Sequence, residues 1–146
     1  MTAEFFSHSE AQTRELGRKF AALLEPGICV LLCGDLGAGK TVFVRGVGEA
    51  LGIDGVRSPS FTLINEYEAT SGLNVIHADL YRLEDASSLG LEEYVDYVLF
   101  VEWPDRWRNP PEEDVIELRF KSLSQTARAI AISAQGAKAE RVIAGL

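Results

Sequence analysis

The chain has 146 residues, 47% of them hydrophobic and 25% charged, with a formal net charge of −8. That is enough for one domain with a real core, leaves no room for a second catalytic domain, and excludes a wholly disordered chain. The negative charge argues against an independent nucleic-acid binder, which needs a basic face to displace counterions from phosphates.

In chain order, Met1 to Arg14 has acidic residues and no apolar core of signal-peptide length, and no apolar run is long enough to span a bilayer. The expected location is therefore cytoplasmic, with no membrane partner. Phe5-Phe6 suits a short edge strand, and Ser7 with Glu10 three residues on predicts a capped helix to about Glu25, with Leu16, Phe20, Leu23 and Leu24 buried and Thr13 facing solvent. Pro26-Gly27 turns the chain into an apolar strand, Ile28 to Cys33. Cys29 and Cys33 share a face of it at roughly 13 Å, too far for a disulfide, and are expected as small core residues.

The next stretch is Gly34-Asp35-Leu36-Gly37-Ala38-Gly39-Lys40-Thr41, which fits G-x-x-x-x-G-K-[ST]. Phe43, Val47, Ala50 and Leu51 then recur at helical spacing, so strand, loop and helix stand in the order a nucleotide-binding P-loop requires. Its glycines allow successive N–H groups to surround phosphates at a positive helix terminus, Lys40 reaches the terminal phosphates, and the Thr41 hydroxyl is placed for Mg2+. Gly46 and Gly48 on the helix are costly there and imply close packing against the sheet.

Val56 to Thr62 is a proline-anchored segment with three hydroxyls, Ser58, Ser60 and Thr62. Leu63 to Tyr67 and Asn74 to Leu80, joined at Ser71-Gly72, read as an antiparallel pair of strands. Two short helices broken at Gly90 are expected between Leu83 and Tyr94. Tyr97 to Val101 is a further strand ending in Glu102-Trp103-Pro104, Asp114 to Lys121 and Ala127 to Ser133 alternate as strands, and Ala137 to Leu146 suits a closing helix. The pattern predicts a single-domain α/β P-loop NTPase fold over residues 1–146, with a mixed, largely parallel sheet flanked by helices.

A P-loop needs an acid at the end of a neighbouring strand to hold the metal. Glu102, after Val98-Leu99-Phe100-Val101, is the first candidate and Asp79, after Val75-Ile76-His77-Ala78, the second. His77 shares a strand face with Asp79 and either orients a water or the carboxylate or is satisfied in the core. Arg82 suits either phosphate neutralisation or a surface ion pair. Trp103 and Trp107 are either a contact patch or packing.

Taken together, GDLGAGKT at Gly34 to Thr41, SPSF at Ser58 to Phe61, HADLYRL at His77 to Leu83 and VEWP ending at Pro104 resemble the small bacterial P-loop ATPase family TsaE, also called YjeE. The resemblance implies an Mg2+-dependent ATPase, weak alone, that works with TsaB and TsaD proteins in threonylcarbamoyladenosine modification of tRNA and meets tRNA only through that complex. By motif position it implies ATP contacts along Asp35, Leu36, Gly37, Ala38, Gly39, Lys40, Thr41 and Val42. It also implies Mg2+ on Thr41 and Glu102, an essential Asp79, a switch-like loop at Ser58 to Thr62, and Trp103 near nucleotide and partner. Thr13 and Arg128 become candidates for nucleotide contact. Two departures stand out: Val42 replaces the family's usual hydroxyl residue, and Ser60 stands where the family has Thr. The rivals are a small-molecule kinase, for which the chain shows no arginine-rich lid, and a nucleotide-gated binding module with negligible hydrolysis.

Overall fold

A computed structural model describes residues 1–59 and 62–146. The elements run β1 (Thr2–Ser7), α1 (Glu10–Ala21), β2 (Cys29–Cys33), α2 (Lys40–Ala50), β3 (Ile64–Glu68), β4 (Asn74–Asp79), β5 (Val98–Glu102), β6 (Val115–Ser122), β7 (Arg128–Gln135) and α3 (Ala137–Gly145). They form one seven-stranded sheet in the order β1-β7-β6-β2-β5-β4-β3. Its centre, β6-β2-β5-β4, is parallel, while β3 and β7 run antiparallel to it and β1 pairs antiparallel with β7. The fold is thus the mixed α/β sheet that the pattern predicts, with the expected β3–β4 hairpin.

Alternation along each strand sorts residues onto two faces. Val30 and Leu32, Val98 and Phe100, Ile116 and Leu118, and Ile130 and Ile132 pack with Phe20, Phe43, Val47 and Val142 of the helices in one cluster. Phe43 is its hub, edge-on to Phe20 at 5.2 Å and to Phe120 at 5.8 Å between ring centroids. The opposite face, with Cys29, Ile76, Ala78, Leu99 and Val101, is covered by Leu80, Ala86, Leu91 and Trp107. The two short helices expected over Leu83 to Tyr94 are single 3₁₀ turns, Ser87–Leu89 and Leu91–Glu93, separated by Gly90 in the left-handed region. Trp107 is packing, 5% exposed.

Four expectations need correction. The N-cap of α1 is Ser9, not Ser7: Ser9 Oγ accepts from Gln12 N, and Gln12 Oε1 accepts from His8 N. Ser7 ends β1 instead, and its buried hydroxyl lies 2.7 Å from that of Thr13, which is 2% exposed rather than facing solvent. Of the α2 glycines, Gly46 serves the contact with α1 and Gly48 a contact with the loop that follows α2, neither of them the sheet. A Cβ on Gly46 would collide with the Arg14 carbonyl of α1, and one on Gly17 of α1 with the Phe43 carbonyl, while Gly48 makes room for the Val56 side chain. The two backbones can touch only because these side chains are missing. Ala50 is exposed, so the buried stripe of α2 is Phe43, Val44 and Val47.

Candidate functional site

The carboxyl ends of β2, β4 and β5 converge, which is where ligands of open α/β sheets bind. From β2 the chain enters the P-loop, where Gly34, Gly37 and Gly39 have φ of 144°, 78° and 108°. These left-handed values need glycine. Gly39 caps α2 without a side chain, so the first N–H groups of that helix are left for a ligand.

A cleft of about 760 Å³, open to solvent, lies over this loop. Of the residues singled out in the sequence, Thr13, Leu36, Gly37, Gly39, Lys40, Thr41, Val42, Ser58, Asp79, Glu102 and Arg128 line it. Asp35 and Trp103 face a neighbouring groove instead, Ala38 is buried beneath the loop, and His77 is fully buried behind Glu102. Thr62 turns to Asn65, its hydroxyl donating to Oδ1 at 2.7 Å. Ser60 lies outside the described residues. Glu10, in the first turn of α1, and Thr126, in the β6–β7 turn, also line the cleft and were missed. A signal for each existed: Glu10 sits one helical turn before Thr13, and Thr126 two residues before Arg128.

The register of β4 and β5 places Asp79 beside Glu102. Both are buried, at 7% and 4% exposure, as is Lys40 at 4%. Lys40 Nζ donates to the Gly34 carbonyl at 2.6 Å, lies 4.0 Å from Glu102 Oε1, and sits over the Trp103 ring, 4.3 Å from its centroid. Burial pushes the Lys40 ammonium below its usual value, and the Glu102 and Asp79 carboxylates oppose this. Trp103 holds its ring there from a left-handed backbone, φ 59°, and packs on Tyr81 at 4.9 Å. A non-glycine residue in that region marks a position over-determined by its surroundings. Asp79 Oδ1 accepts from Tyr81 N at 3.0 Å, which fixes the carboxylate's direction at the strand end.

Arg128 braces the loop from β7. Its guanidinium donates to the carbonyls of Ala38 at 3.0 Å and Gly37 at 3.3 Å, and also to Ser124, Gln125 and Ala127. The β6–β7 turn and the P-loop are thereby tied together. The segment before β3 is tied to the sheet: Arg57 N donates to Tyr67 Oη, Asn65 Nδ2 to the Arg57 carbonyl, and Asp79 N to the Leu63 carbonyl. The two cysteines, Cys29 buried and Cys33 half-buried, are free thiols. Burial pushes the Cys29 thiol up to about 12, and burial followed by the Glu117 carboxylate pushes Cys33 up to about 11.

The donors fit a Mg2+ ion that arrives with its nucleotide. Thr41 and Glu102 offer hard oxygens beside the phosphate cradle. No group of three or more His, Cys, Asp or Glu able to cage a metal occurs among the described residues. Mg2+ bound through one or two protein oxygens plus substrate phosphates needs no such cage. Among the described residues no helix is long and apolar enough to cross a membrane.

The profile of the family described as "Threonylcarbamoyl adenosine biosynthesis protein TsaE" matches residues 7–130. The tRNA threonylcarbamoyladenosine biosynthesis protein TsaE of Bacillus subtilis is 38% identical over 133 residues, covering 88% of this chain and 84% of that one. The protein of the same name from Aquifex aeolicus is 39% identical over 121 residues, 80% and 86% of the two chains. A crystal structure of Bacillus subtilis YdiB superposes with a TM-score of 0.82 at 31% identity, over 99% of this chain and 93% of that one.

Proposed function

The chain belongs to the TsaE family of threonylcarbamoyladenosine biosynthesis, and from that premise we propose that it is a cytoplasmic Mg2+-dependent ATPase, slow alone, that drives turnover of a TsaB–TsaD complex and meets tRNA only through it. The whole chain, residues 1–146, acts as one P-loop ATPase domain. One observation carries the reading: the fold gathers Lys40, Asp79 and Glu102, from three separate elements, into the cleft over the P-loop.

Each residue then has a task. ATP lies along Asp35 to Val42, its phosphates held by backbone N–H groups and the start of α2. Thr13 and Arg128 wall the nucleoside end, and Val42 offers only its backbone N–H where a hydroxyl is usual. Lys40 exchanges the Gly34 carbonyl for phosphate oxygens and remains over Trp103. Thr41 and Glu102 hold Mg2+, which when bound neutralises charge on the terminal phosphates. Asp79 orients the attacking water. That water's oxygen bonds to the γ-phosphorus as the bond to the ADP oxygen breaks. Loss of phosphate is read at Ser58, on the wall of the cleft, which with Trp103 carries the nucleotide state to the partner.

The test is phosphate release from ATP with and without Mg2+, by the chain alone and with a TsaB–TsaD pair. Stimulation by the pair that disappears in Lys40→Ala is expected. Asp79→Ala should keep nucleotide binding and lose on the order of a hundredfold or more in turnover. Normal hydrolysis by Asp79→Ala in the complex overturns that role. Phosphate appearing on an added metabolite, without stimulation by the pair, moves the chain to the small-molecule kinases.

A further inference from the structure

Behind Glu102 lies a group to which that mechanism gives no task. His77 is 0% exposed on β4, and its Nε2 is 2.7 Å from Glu102 Oε2. Its Nδ1 is buried and has no hydrogen-bond partner among the described residues. The strand neighbours explain why. Phe100, beside it on β5, has no polar side-chain atom, and the amide of Asn65, beside it on β3, is taken up by Thr62 Oγ1 and the Arg57 carbonyl.

The orphaned atom decides where the proton sits. Were it on Nδ1, a buried N–H would be left without an acceptor, the costlier kind of unpaired group. The proton is therefore on Nε2 and is donated to Glu102 Oε2. One carboxylate oxygen is thereby tied to the sheet. The other, Oε1, is the oxygen 4.0 Å from Lys40 Nζ, and Glu102 lines the cleft.

We propose that His77 is a positioning residue: its Nε2–H fixes Glu102 so that Oε1 is presented to the divalent cation that accompanies the nucleotide. The proposal rests on the reading of Glu102 as a cation ligand. A carboxylate on a strand end could otherwise swing between Lys40 and the cation. Its hydrogen bond to a buried ring removes that freedom before the cation arrives, and such outer partners tune metal affinity even though they never touch the metal.

The experiment measures binding rather than turnover. Calorimetric titration of a non-hydrolysable ATP analogue at stepped MgCl2 gives the Mg2+ concentration at which affinity reaches half its gain. Glutamine carries its amide nitrogen at about the reach of Nε2, and asparagine at that of Nδ1. His77→Phe and His77→Asn should raise the midpoint about tenfold or more, and His77→Gln should stay within about threefold of the wild type. Mg2+-free affinity should not change. A wild-type midpoint in His77→Phe, with a raised one in Glu102→Gln, overturns the positioning role and leaves the ligand role of Glu102 standing. A wild-type midpoint in Glu102→Gln overturns both. Should His77→Phe fail to fold, the amide pair decides: equal midpoints in His77→Asn and His77→Gln overturn the proposal, because a packing role does not depend on where the N–H lies.

Discussion

Strands β4 and β5 carry two chemistries on the one face that the helices cover. At their amino ends, Val75 and Val98 belong to the apolar cluster around Phe43. Two to four residues on, the same face presents His77, Asp79 and Glu102. Both ends are equally shut off from solvent, since Val75 and Val98 are 3% and 0% exposed and the three polar residues 0–7%. Burial therefore does not separate core from site. Buried charge costs free energy that mutual pairing seldom returns in full, so the apolar end stabilises the fold and the polar end does not, as the proposed chemistry at that end requires.

The largest effect should come from breaking the apolar end. Phe100 is 0% exposed between Val98 and Glu102, and Phe100→Ala should lower stability by about 3–5 kcal/mol in urea denaturation. The polar end should answer in the opposite sense. Lys40→Met, His77→Phe and Glu102→Leu together remove the buried polar group around Glu102, including the ammonium 4.0 Å from it, and fill its space with apolar atoms. Stability should be unchanged or rise by about 1–4 kcal/mol in the same assay, while ATP hydrolysis is lost. A triple variant less stable than the wild type would mean that these groups hold the sheet together, and the division between the two ends would fall.

Much of this was legible in the sequence where local pattern and topology agree. The P-loop, the strand before it and the acids at the ends of β4 and β5 follow from residue type and spacing, because the strand's period of two and the glycine requirement are local rules. What was missed depends on contacts between distant segments. Ser9 and Ser7 are both cap residues by type, and only the end of β1 decides that Ser7 is buried against Thr13. Gly46 reads as a packing glycine, but that its partner is Arg14 of α1 follows from the crossing of α1 and α2. The bond from His77 to Glu102 joins residues 25 apart and becomes visible only once β4 and β5 are in register. Sequence spacing put His77 with Asp79, on the same strand. The sheet adds the cross-strand partner.

Thr13 tests the boundary between the two ends most finely. It lines the cleft and yet is 2% exposed, with its hydroxyl 2.7 Å from that of Ser7. Ser7 Oγ also donates to the Ser9 carbonyl at 2.8 Å, so in the hydroxyl pair Thr13 is left as the donor and Ser7 as the acceptor. A threonine whose proton is spent inside the protein contributes mainly to holding β1 against α1. Thr13→Val keeps the shape and removes that bond while Ser7 retains its backbone partner, so the loss should be near an ordinary hydrogen bond, about 0.5–1.5 kcal/mol in urea denaturation. Nucleotide affinity should fall by no more than about threefold, or roughly 0.6 kcal/mol. A larger loss of affinity at unchanged stability would place the hydroxyl on the nucleotide, and the functional end of the sheet would then extend across α2 to the start of α1.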